Sequence, residues 1–279
     1  MKLRLHKKMG RFIRRYFRRK ILSNYGKGIL VDTKNGNLVV DPGDFGVSRS
    51  LLENGEYDSR HIDWLKNIIG NSAGSLVFVG AHIGSLLVPL SSYAKTVLGY
   101  EADPKNYELL KLNIALNNVK NAHVSNKAIG AKSGRAIVVH NPLNTGNSSI
   151  LEKTGSEEDV ELATLDSELK SFPEERVDLL VMDIEGHELY ALKGSIKVLE
   201  NIKFLDMEFA PEQLAEHNSD PIELLNLVFN YFDYMYILRD TATKFNREDA
   251  LSYLKKYLNK KGFLINLLFS KKEIPITEK

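Results

Sequence analysis

The sequence contains no cysteine in its 279 residues. Disulfide bonds, cysteine-ligated zinc sites and a thiol nucleophile are therefore excluded. Long apolar runs are missing too: no stretch approaches the roughly 20 residues of a membrane-spanning helix, and the basic N-terminus lacks the apolar core of a secretory signal. We accordingly expect a cytoplasmic protein, either free in solution or bound at a membrane surface.

Acidic residues are absent from the first 20 positions, which contain ten of the 38 lysines and arginines. The remainder carries 28 basic and 36 acidic residues and is therefore mildly acidic. A basic arm on an acidic body is not typical of a domain that wraps nucleic acid over its main face, so we expect no nucleic-acid partner. With 43% hydrophobic residues, the chain can bury one substantial core and carry an extra N-terminal piece.

The basic arm has the pattern of an amphipathic helix over residues 1–23. Apolar side chains recur at helical spacing, and arginines fill the positions between them. Three interpretations stay open: residues 1–22 lie on an anionic membrane surface, the apolar stripe packs on the main domain, or the segment is a targeting or RNA-binding element. The apolar residues are Leu5, Met9, Phe12, Ile13, Tyr16, Phe17 and Ile21.

Residues 24–70 indicate a hairpin followed by helices. Asn35-Gly36 lies between two short apolar runs and favours a type I′ hairpin turn. Helical patterns follow at residues 47–53 and 60–69, and the loop at residues 55–58 is placed to face a cofactor cleft. We predict an accessory layer here rather than a domain with its own core.

The stretch from Ser75 to Glu101 has the order strand, glycine turn, helix, strand and terminal carboxylate. Residues 75–80 are a nearly unbroken apolar run, as in a strand buried on both faces of a parallel sheet. A helix is expected over residues 83–94, with a kink or a later start because of Pro89. The second strand ends in Glu101, 21 positions after Gly80, where doubly wound sheets hold a ribose diol.

The spacing of the two glycines distinguishes between cofactor classes. Dinucleotide sites use G-x-G-x-x-G, whose middle glycine lets backbone amides reach a pyrophosphate, whereas Gly80 and Gly84 form G-x-x-x-G. A cofactor with a ribose but no pyrophosphate, S-adenosylmethionine, is favoured over NAD, which stays open. The alternative that these are ordinary turn glycines is weakened because Glu101 follows at the spacing of a ribose-binding carboxylate. The candidate cofactor contacts are Val79, Gly80, Ala81, His82, Gly84, Glu101, Ala102, Asn126 and Lys127.

Strands and helices continue to alternate along the rest of the chain. This order predicts an α/β domain over residues 71–270 and a solvated tail over 271–279. One continuous strand is predicted for residues 122–129. The polar loop at residues 141–149 is a candidate substrate contact.

A second buried strand, residues 177–183, leads into the sequence Asp-Ile-Glu-Gly-His at 183–187. Side chains at the carboxyl end of a central strand project into the ligand crevice of open α/β sheets. Asp183 is therefore a candidate to hold or deprotonate an acceptor, and His187 and His82 are candidate bases. Glu185 is either part of this catalytic group or a cap for the next helix. We predict no metal, although Asp183 with Glu185 leaves one open.

These motifs together resemble the FkbM family of S-adenosylmethionine-dependent methyltransferases over roughly residues 38–270. The resemblance implies a Rossmann-like class I methyltransferase fold, with a seven-stranded, mostly parallel sheet and helices on both faces behind the N-terminal helix and hairpin. It also implies O-methylation of a hydroxyl on a small molecule, a sugar or glycan, or a secondary metabolite. The matching residues are Gly80 to Gly84, Glu101, Pro104, Asn113, Asn117, Asn126 to Gly130, Thr164 to Asp166, Asp183 to Glu188, Leu192 and Gly194.

Three positions depart from the usual family pattern. Phe78 stands where an acid is common, His82 where an asparagine is common, and Val181 where a lysine is common. Two other hypotheses therefore stay open beside methyl transfer. One is a non-catalytic relative of this fold that binds a nucleoside or a partner protein, and the other is an NAD-linked oxidoreductase.

Overall fold

The computed structural model describes residues 28–44, 46–71, 73–139, 149–151, 159–172 and 177–275. The basic arm and nearly all of the polar loop at 141–149 lie outside this part of the chain. The amphipathic helix, its membrane contact and the substrate role of the loop therefore stay predictions. Within the described residues, no helix combines the length and apolar character needed to cross a membrane.

The described residues form fourteen strands and ten α-helices. The strands are β1 Ile29–Thr33, β2 Gly36–Val40, β3 Ala73–Val79, β4 Ala94–Tyr100, β5 Ala122–Ser125, β6 Lys127–Ile129, β7 Gly134–Val139, β8 Ser149–Leu151, β9 Asp159–Ala163, β10 Val177–Met182, β11 Phe204–Phe209, β12 Tyr234–Leu238, β13 Ala242–Asn246 and β14 Ile265–Ser270. The helices are α1 Val47–Asn54, α2 Ser59–Ile69, α3 Leu87–Leu90, α4 Pro104–Leu116, α5 Leu165–Glu168, α6 Glu188–Lys193, α7 Ile196–Asn201, α8 Pro211–Glu216, α9 Pro221–Val228 and α10 Arg247–Lys255.

The central sheet has the strand order β13-β12-β14-β11-β10-β3-β4-β5. Strands β5, β4, β3, β10 and β11 are parallel, and β14 runs antiparallel to its neighbours β11 and β12. The predicted α/β fold with a mostly parallel sheet is confirmed, but the sheet has eight strands in the described residues rather than seven. The additional strand β13 is an edge strand with mostly exposed side chains, so it lacks the buried alternation by which sheet strands are recognised.

The middle of the sheet is buried on both faces, as the apolar runs of β3 and β10 predict. Alternate side chains of these strands point to opposite faces. One face packs on α6, α7, α9 and α10, and the other packs on α2, α3 and α4. Side chains on the first face include Val77, Val79, Leu180 and Met182, and those on the second include Leu76, Phe78, Leu179 and Val181.

The β1–β2 hairpin forms as predicted, but its turn is one residue earlier than Asn35-Gly36. Thr33 pairs with Gly36, which leaves Lys34 and Asn35 at the turn. Asn35 is buried there and donates through Nδ2 to the carbonyl oxygens of Tyr57 (2.7 Å) and Ser85 (2.9 Å). The turn residue thus ties the hairpin to the loop before α2.

The free edge of β2 is covered by two asparagines: Asn113 lies on α4, and Asn117 caps the C-terminus of that helix one turn later. Asn113 Oδ1 accepts from Val39 N (2.6 Å) and its Nδ2 donates to Val39 O (3.1 Å). Asn117 repeats the pattern on Asn37, with distances of 2.9 and 2.8 Å. The hairpin therefore joins the domain through paired backbone contacts as well as through apolar packing.

The helix expected over residues 83–94 starts later, as Pro89 indicates. It is the single turn Leu87–Leu90, followed by a 3₁₀ turn at Ser91–Tyr93. The next helix, α4, begins at Pro104, and the side chain of Asp103 caps it by accepting from Lys105 N (2.8 Å). Strands β3 and β4 are thus followed by short connections that leave the carboxyl ends of both strands open.

The single strand predicted for residues 122–129 is wrong. The structure has two strands there, β5 and β6, which belong to different sheets and are separated by Asn126. Asn126 Nδ2 donates to the carbonyl oxygens of Glu101 (2.8 Å) and Ala102 (2.9 Å), so its side chain bends the chain away from the central sheet. Strand β6 then enters a small second sheet of order β6-β9-β7-β8.

Candidate active site

A cavity of about 570 Å³ opens at the carboxyl ends of β3, β4, β10 and β11. Its size is typical of sites for small ligands, for which roughly 300–1,000 Å³ is usual. The structure brings most of the predicted site residues together on its wall. These are Val79, Gly80, Ala81, His82, Glu101, Ala102, Lys127, Asp183 and Glu185.

The turn after β3 holds the ends of three strands against one another. The amides of Gly80 and Ala81 both donate to Tyr100 O, at 2.9 and 3.0 Å. Gly80 has φ +85°, and a Cβ there would lie 1.9 Å from the carbonyl oxygen of Asp183. Glycine is therefore required for the end of β10 to lie directly against this turn.

Glu101 lies at the end of β4 with 7% of its surface exposed, and both of its carboxylate oxygens are held by backbone amides. Oε2 accepts from His82 N at 2.7 Å, and Oε1 accepts from Asp103 N at 2.8 Å. Burial raises the pKa of Glu101 to about 7, and these hydrogen bonds oppose the rise. Each oxygen retains a lone pair for a ligand hydroxyl, as a ribose diol requires.

Gly84, Asn126 and His187 do not line the cavity among the described residues. Gly84 lies against the side chain of Leu110, and Asn126 bonds the backbone beneath Glu101. His187 is buried next to His217, with ring centroids 4.0 Å apart. The predicted contacts of Gly84 and Asn126 with the cofactor, and the catalytic role of His187, therefore stay predictions that the cavity wall does not favour.

The turn after β10 is organised by Glu188 rather than by Glu185. Glu188 Oε1 accepts from the amides of Ile184 (3.1 Å) and Gly186 (3.3 Å). Glu185 bonds Gln213 Nε2 instead, so its alternative role as a cap for the next helix is wrong. Gly186 has φ +97°, and a Cβ there would lie 2.5 Å from the Gln213 carbonyl oxygen.

One wall of the cavity is strongly acidic. Asp183, Glu185 and Glu208 each place a carboxylate oxygen within 4.8 Å of the others. Asp183 is the most open of the three, and Glu208 is the most buried. Burial, together with the negative charges of neighbouring acids, raises the pKa of Glu185 and Glu208.

Several residues of this wall were not predicted as site residues. The loop at 55–58 does face the cavity, as expected, through Tyr57 and Asp58. Asp206 and Glu208 come from β11, the strand next to β10. The rule that selected Asp183, a carboxylate at the carboxyl end of a central strand, also applies to Glu208 and would have found it.

Asp206 is paired with a histidine from α2. His61 Nε2 lies 2.8 Å from Asp206 Oδ2, and both side chains are buried. Burial by itself lowers the pKa of His61, but the charge and hydrogen bond of Asp206 outweigh it and raise the pKa to about 9. The raised pKa of His61 favours the charged imidazolium beside Asp206, and the pair fixes α2 beside the cavity.

A second cavity, of about 460 Å³, adjoins the first. The two share Asp58, Leu264 and Asn266 as lining residues. Leu264 is 53% exposed and lies on the rim of both cavities. The second cavity also includes Arg60, His61, Arg239 and Asp240.

Glu101 and Asp183 lie on one cavity, just after the parallel strands β4 and β10, which flank β3. This arrangement agrees with a family-level sequence match. Residues 79–237 match the family described as the Methyltransferase FkbM domain, and they make up more than half of the chain. The chain belongs to the FkbM methyltransferase family. This membership implies S-adenosylmethionine as the cofactor and favours methyl transfer over the NAD-linked and non-catalytic alternatives.

Solved structures resemble this FkbM methyltransferase in fold. Methyltransferase FkbM from Methylobacillus flagellatus KT is 17% identical with a TM-score of 0.48, over 77% of this chain and 48% of that one. An rRNA methylase from Streptococcus thermophilus is 9% identical with a TM-score of 0.44, and the match covers 76% of this chain and 95% of that one. A Streptococcus mutans protein in complex with SAH is 12% identical with a TM-score of 0.44, and the match covers 76% of this chain and 96% of that one. The chain thus spans about half the length of the first. No curated protein sequence matches it.

The residues of the cavity fit S-adenosylmethionine. Glu101 is prepared to accept from two ribose hydroxyls, and Gly80 leaves its backbone accessible. Tyr100 and Ile129 offer apolar wall for the adenine ring. Phe78 occupies the position where the family usually has an acid, and it is 2% exposed within an apolar cluster. An ionised carboxylate would be costly at this place, so the methionine end of the cofactor must be held by other groups.

Proposed function

We propose that this FkbM methyltransferase methylates a hydroxyl group of a small molecule, namely a sugar or glycan or a secondary metabolite. The observation that supports this proposal is the acidic wall opposite Glu101 in one cavity. Carboxylates accept hydrogen bonds from hydroxyl groups, whereas they repel the phosphates of a nucleic acid. A neutral polyhydroxylated acceptor therefore suits the wall better than RNA or DNA does.

In this proposal Asp183 is the residue that receives the acceptor. Its carboxylate opens onto the cavity at the end of β10, so it can accept a hydrogen bond from the acceptor hydroxyl. When bound, the cofactor supplies an electrophilic methyl group on sulfur. Asp183 would accept the proton that the hydroxyl oxygen releases as it takes up this methyl group, and the cofactor would leave as the neutral thioether.

Rate enhancement in such a site comes mainly from positioning. Holding two reactants in line is worth up to roughly 7–11 kcal/mol of the barrier in well-oriented systems. Here the strand end that carries Asp183 is fixed against the Gly80 turn, and Glu188 holds the loop beyond it. Glu185 stands beside Asp183 on the wall.

The second cavity is the proposed route for the acceptor. It joins the cofactor cavity at Asp58, Leu264 and Asn266, close to the acidic wall. Leu264 offers an exposed apolar surface against which a sugar ring or an aromatic metabolite can pack. A route of this size admits a small molecule or a chain end.

The test is transfer of a labelled methyl group to a panel of acceptors comprising free sugars, glycan oligomers, hydroxylated aromatics, amines and transfer RNA. We expect incorporation as methyl ethers on hydroxyl acceptors. Asp183→Asn should lower turnover by roughly 100-fold or more, because it removes the proton acceptor. Affinity for S-adenosylhomocysteine (SAH), measured by calorimetry, should stay within a few-fold of wild type.

The matched control is Glu216→Gln, which removes one exposed carboxylate on α8, outside both cavities. Its turnover should equal that of the wild type. Methylation of amines or RNA with no hydroxyl product would refute the proposed acceptor class. Full turnover in Asp183→Asn would refute the role given to Asp183.

A further inference from the structure

The acidic wall contains a buried carboxylate with no partner. Glu208 is 8% exposed, and its Oε2 is enclosed without a hydrogen-bond partner in the described part of the chain. One oxygen of Glu208 lies within 4.8 Å of oxygens from Asp183 and Glu185. Among the residues that the structure describes, this is the only such group of three acidic or histidine side chains.

The arrangement is electrostatically unfavourable without a positive charge. Buried ionised groups in proteins are paired or coordinate metals, because removal from water otherwise costs several kcal/mol. The basic side chains nearest in sequence do not supply that charge. Lys203 bonds Asp178, and Lys193 bonds Glu223.

The fold nevertheless holds these acids in place. Glu185 is fixed by Gln213, and its backbone adopts φ +56°, a conformation unusual for a residue with a side chain. Asp183 is held by its amide, which donates to Val79 O at 3.1 Å. Glu208 is held by parallel pairing of β11 with β10 and antiparallel pairing with β14, where it faces Asn266. The cluster is therefore built from rigid strand ends and a constrained turn.

We propose that Asp183, Glu185 and Glu208 bind one oxygen-preferring divalent cation, Mg²⁺, Mn²⁺ or Ca²⁺. Three carboxylate oxygens are the ligands these ions prefer, and a chain without cysteine offers no thiolate to favour zinc or copper. Oxygens on opposite sides of Ca²⁺ lie about 5 Å apart, and those around Mg²⁺ about 4 Å. The carboxylate oxygens of this cluster lie within 4.8 Å of one another, a separation that suits Ca²⁺ directly. It suits Mg²⁺ if the oxygens move closer together by less than about 1 Å.

The cation would also have a role in the reaction, and only this role rests on the proposed function. A hydroxyl that binds a divalent ion loses its proton more readily, because the ion stabilises the alkoxide. The site borders the part of the cavity where Asp183 would meet the acceptor. Cation binding itself requires neither cofactor nor acceptor, so it can be measured separately.

The experiment is titration of the full chain with Mn²⁺, followed by electron paramagnetic resonance, in which the sharp signal of the free ion is lost on binding. We expect one bound Mn²⁺ per chain, displaced by Mg²⁺ or Ca²⁺. Glu208→Gln keeps the shape of the side chain but removes its charge, and Asp183→Asn does the same at the open end of the cluster. Both should weaken binding at least about tenfold, the loss expected for one charged ligand.

Glu216→Gln is again the control, since it removes an equal charge nearby, and it should bind Mn²⁺ like the wild type. Thermal unfolding gives a second measurement: millimolar Mg²⁺ or Mn²⁺ should raise Tm for the wild type and the control but not for Glu208→Gln. This comparison also shows that the variant is folded.

Absence of Mn²⁺ binding to the wild type at millimolar concentration would overturn the proposal. Equal binding by Glu208→Gln and Asp183→Asn would overturn it too, because the ion would then lie elsewhere. If Mn²⁺ does not bind but Glu208→Gln weakens binding of S-adenosylmethionine, the cluster instead holds the ammonium of the cofactor, and the metal proposal is wrong. Mn²⁺ binding without any hydroxyl methylation would leave this inference standing and refute the proposed function alone.

Discussion

Replacing Gly80 with alanine should damage both stability and cofactor binding, because two separate penalties meet at this position. The first is conformational: φ is +85°, and a left-handed backbone costs a residue with a Cβ about 1–2 kcal/mol. The second is steric. The new Cβ would lie 1.9 Å from the Asp183 carbonyl oxygen, so the backbone must move by about 1.5 Å to reach an ordinary contact of 3.4 Å.

Overpacking of this kind typically costs about 1–3 kcal/mol, so the expected total is about 2–5 kcal/mol. Gly55→Ala isolates the first penalty, because Gly55 has φ +70° and nothing within 4 Å of the added Cβ. Urea unfolding should show a loss of about 1–2 kcal/mol for Gly55→Ala and a clearly larger loss for Gly80→Ala.

Calorimetry with SAH completes the test. Gly80→Ala should lose at least about tenfold in affinity, since the turn and the end of β10 must separate, whereas Gly55→Ala should bind like the wild type. If the two variants lost the same stability and Gly80→Ala bound SAH normally, the close contact between the turn and Asp183 would not matter to the site as argued here.

Three other outcomes are expected. Glu101→Gln should weaken SAH binding by about 1–3 kcal/mol, or roughly 5- to 150-fold by calorimetry, because charge-assisted hydrogen bonds to the ribose are lost; unchanged affinity would mean that the ribose lies elsewhere. The raised pKa of His61 adds stability that is complete below pH 6.5 and is lost as the pH rises to about 9. Urea unfolding over this range should show a decline of up to about 3 kcal/mol, which His61→Asn should lack. In the same assay, Asn113→Ala should lower the free energy of unfolding by about 2–4 kcal/mol. Asn117 is more exposed, so Asn117→Ala should lower it by less than about 1 kcal/mol. Equal losses would contradict the argument from burial.

The parts of the fold that the sequence predicts are those with strong local patterns. The apolar runs of β3 and β10 are buried on both faces, and such runs are visible without any knowledge of the partner strands. The carboxylates of Glu101 and Asp183, which come directly after β4 and β10, follow from the rule that parallel strands open at one edge. The shared cavity is a consequence of that rule together with strand adjacency.

What the sequence does not reveal depends on contacts between distant segments. His61 and Asp206 are 145 positions apart, and nothing in either neighbourhood indicates the pair. The break between β5 and β6 also has no local signal, since the apolar pattern continues across Asn126. The break arises because the Asn126 amide bonds the backbone of another strand end. Edge strand β13 is missed because its side chains are mostly exposed.

Asn113 and Asn117 also affect whether the β1–β2 hairpin can pair with a strand of another molecule. Neighbouring same-side residues on a strand are about 6.8 Å apart, and residues four apart on a helix are about 6.0 Å apart, so two amides can imitate the next strand's peptide groups. With the outer edge of β2 occupied in this way, a foreign strand cannot pair with that edge of the ribbon. The two asparagines therefore protect this edge of the hairpin against edge-to-edge aggregation.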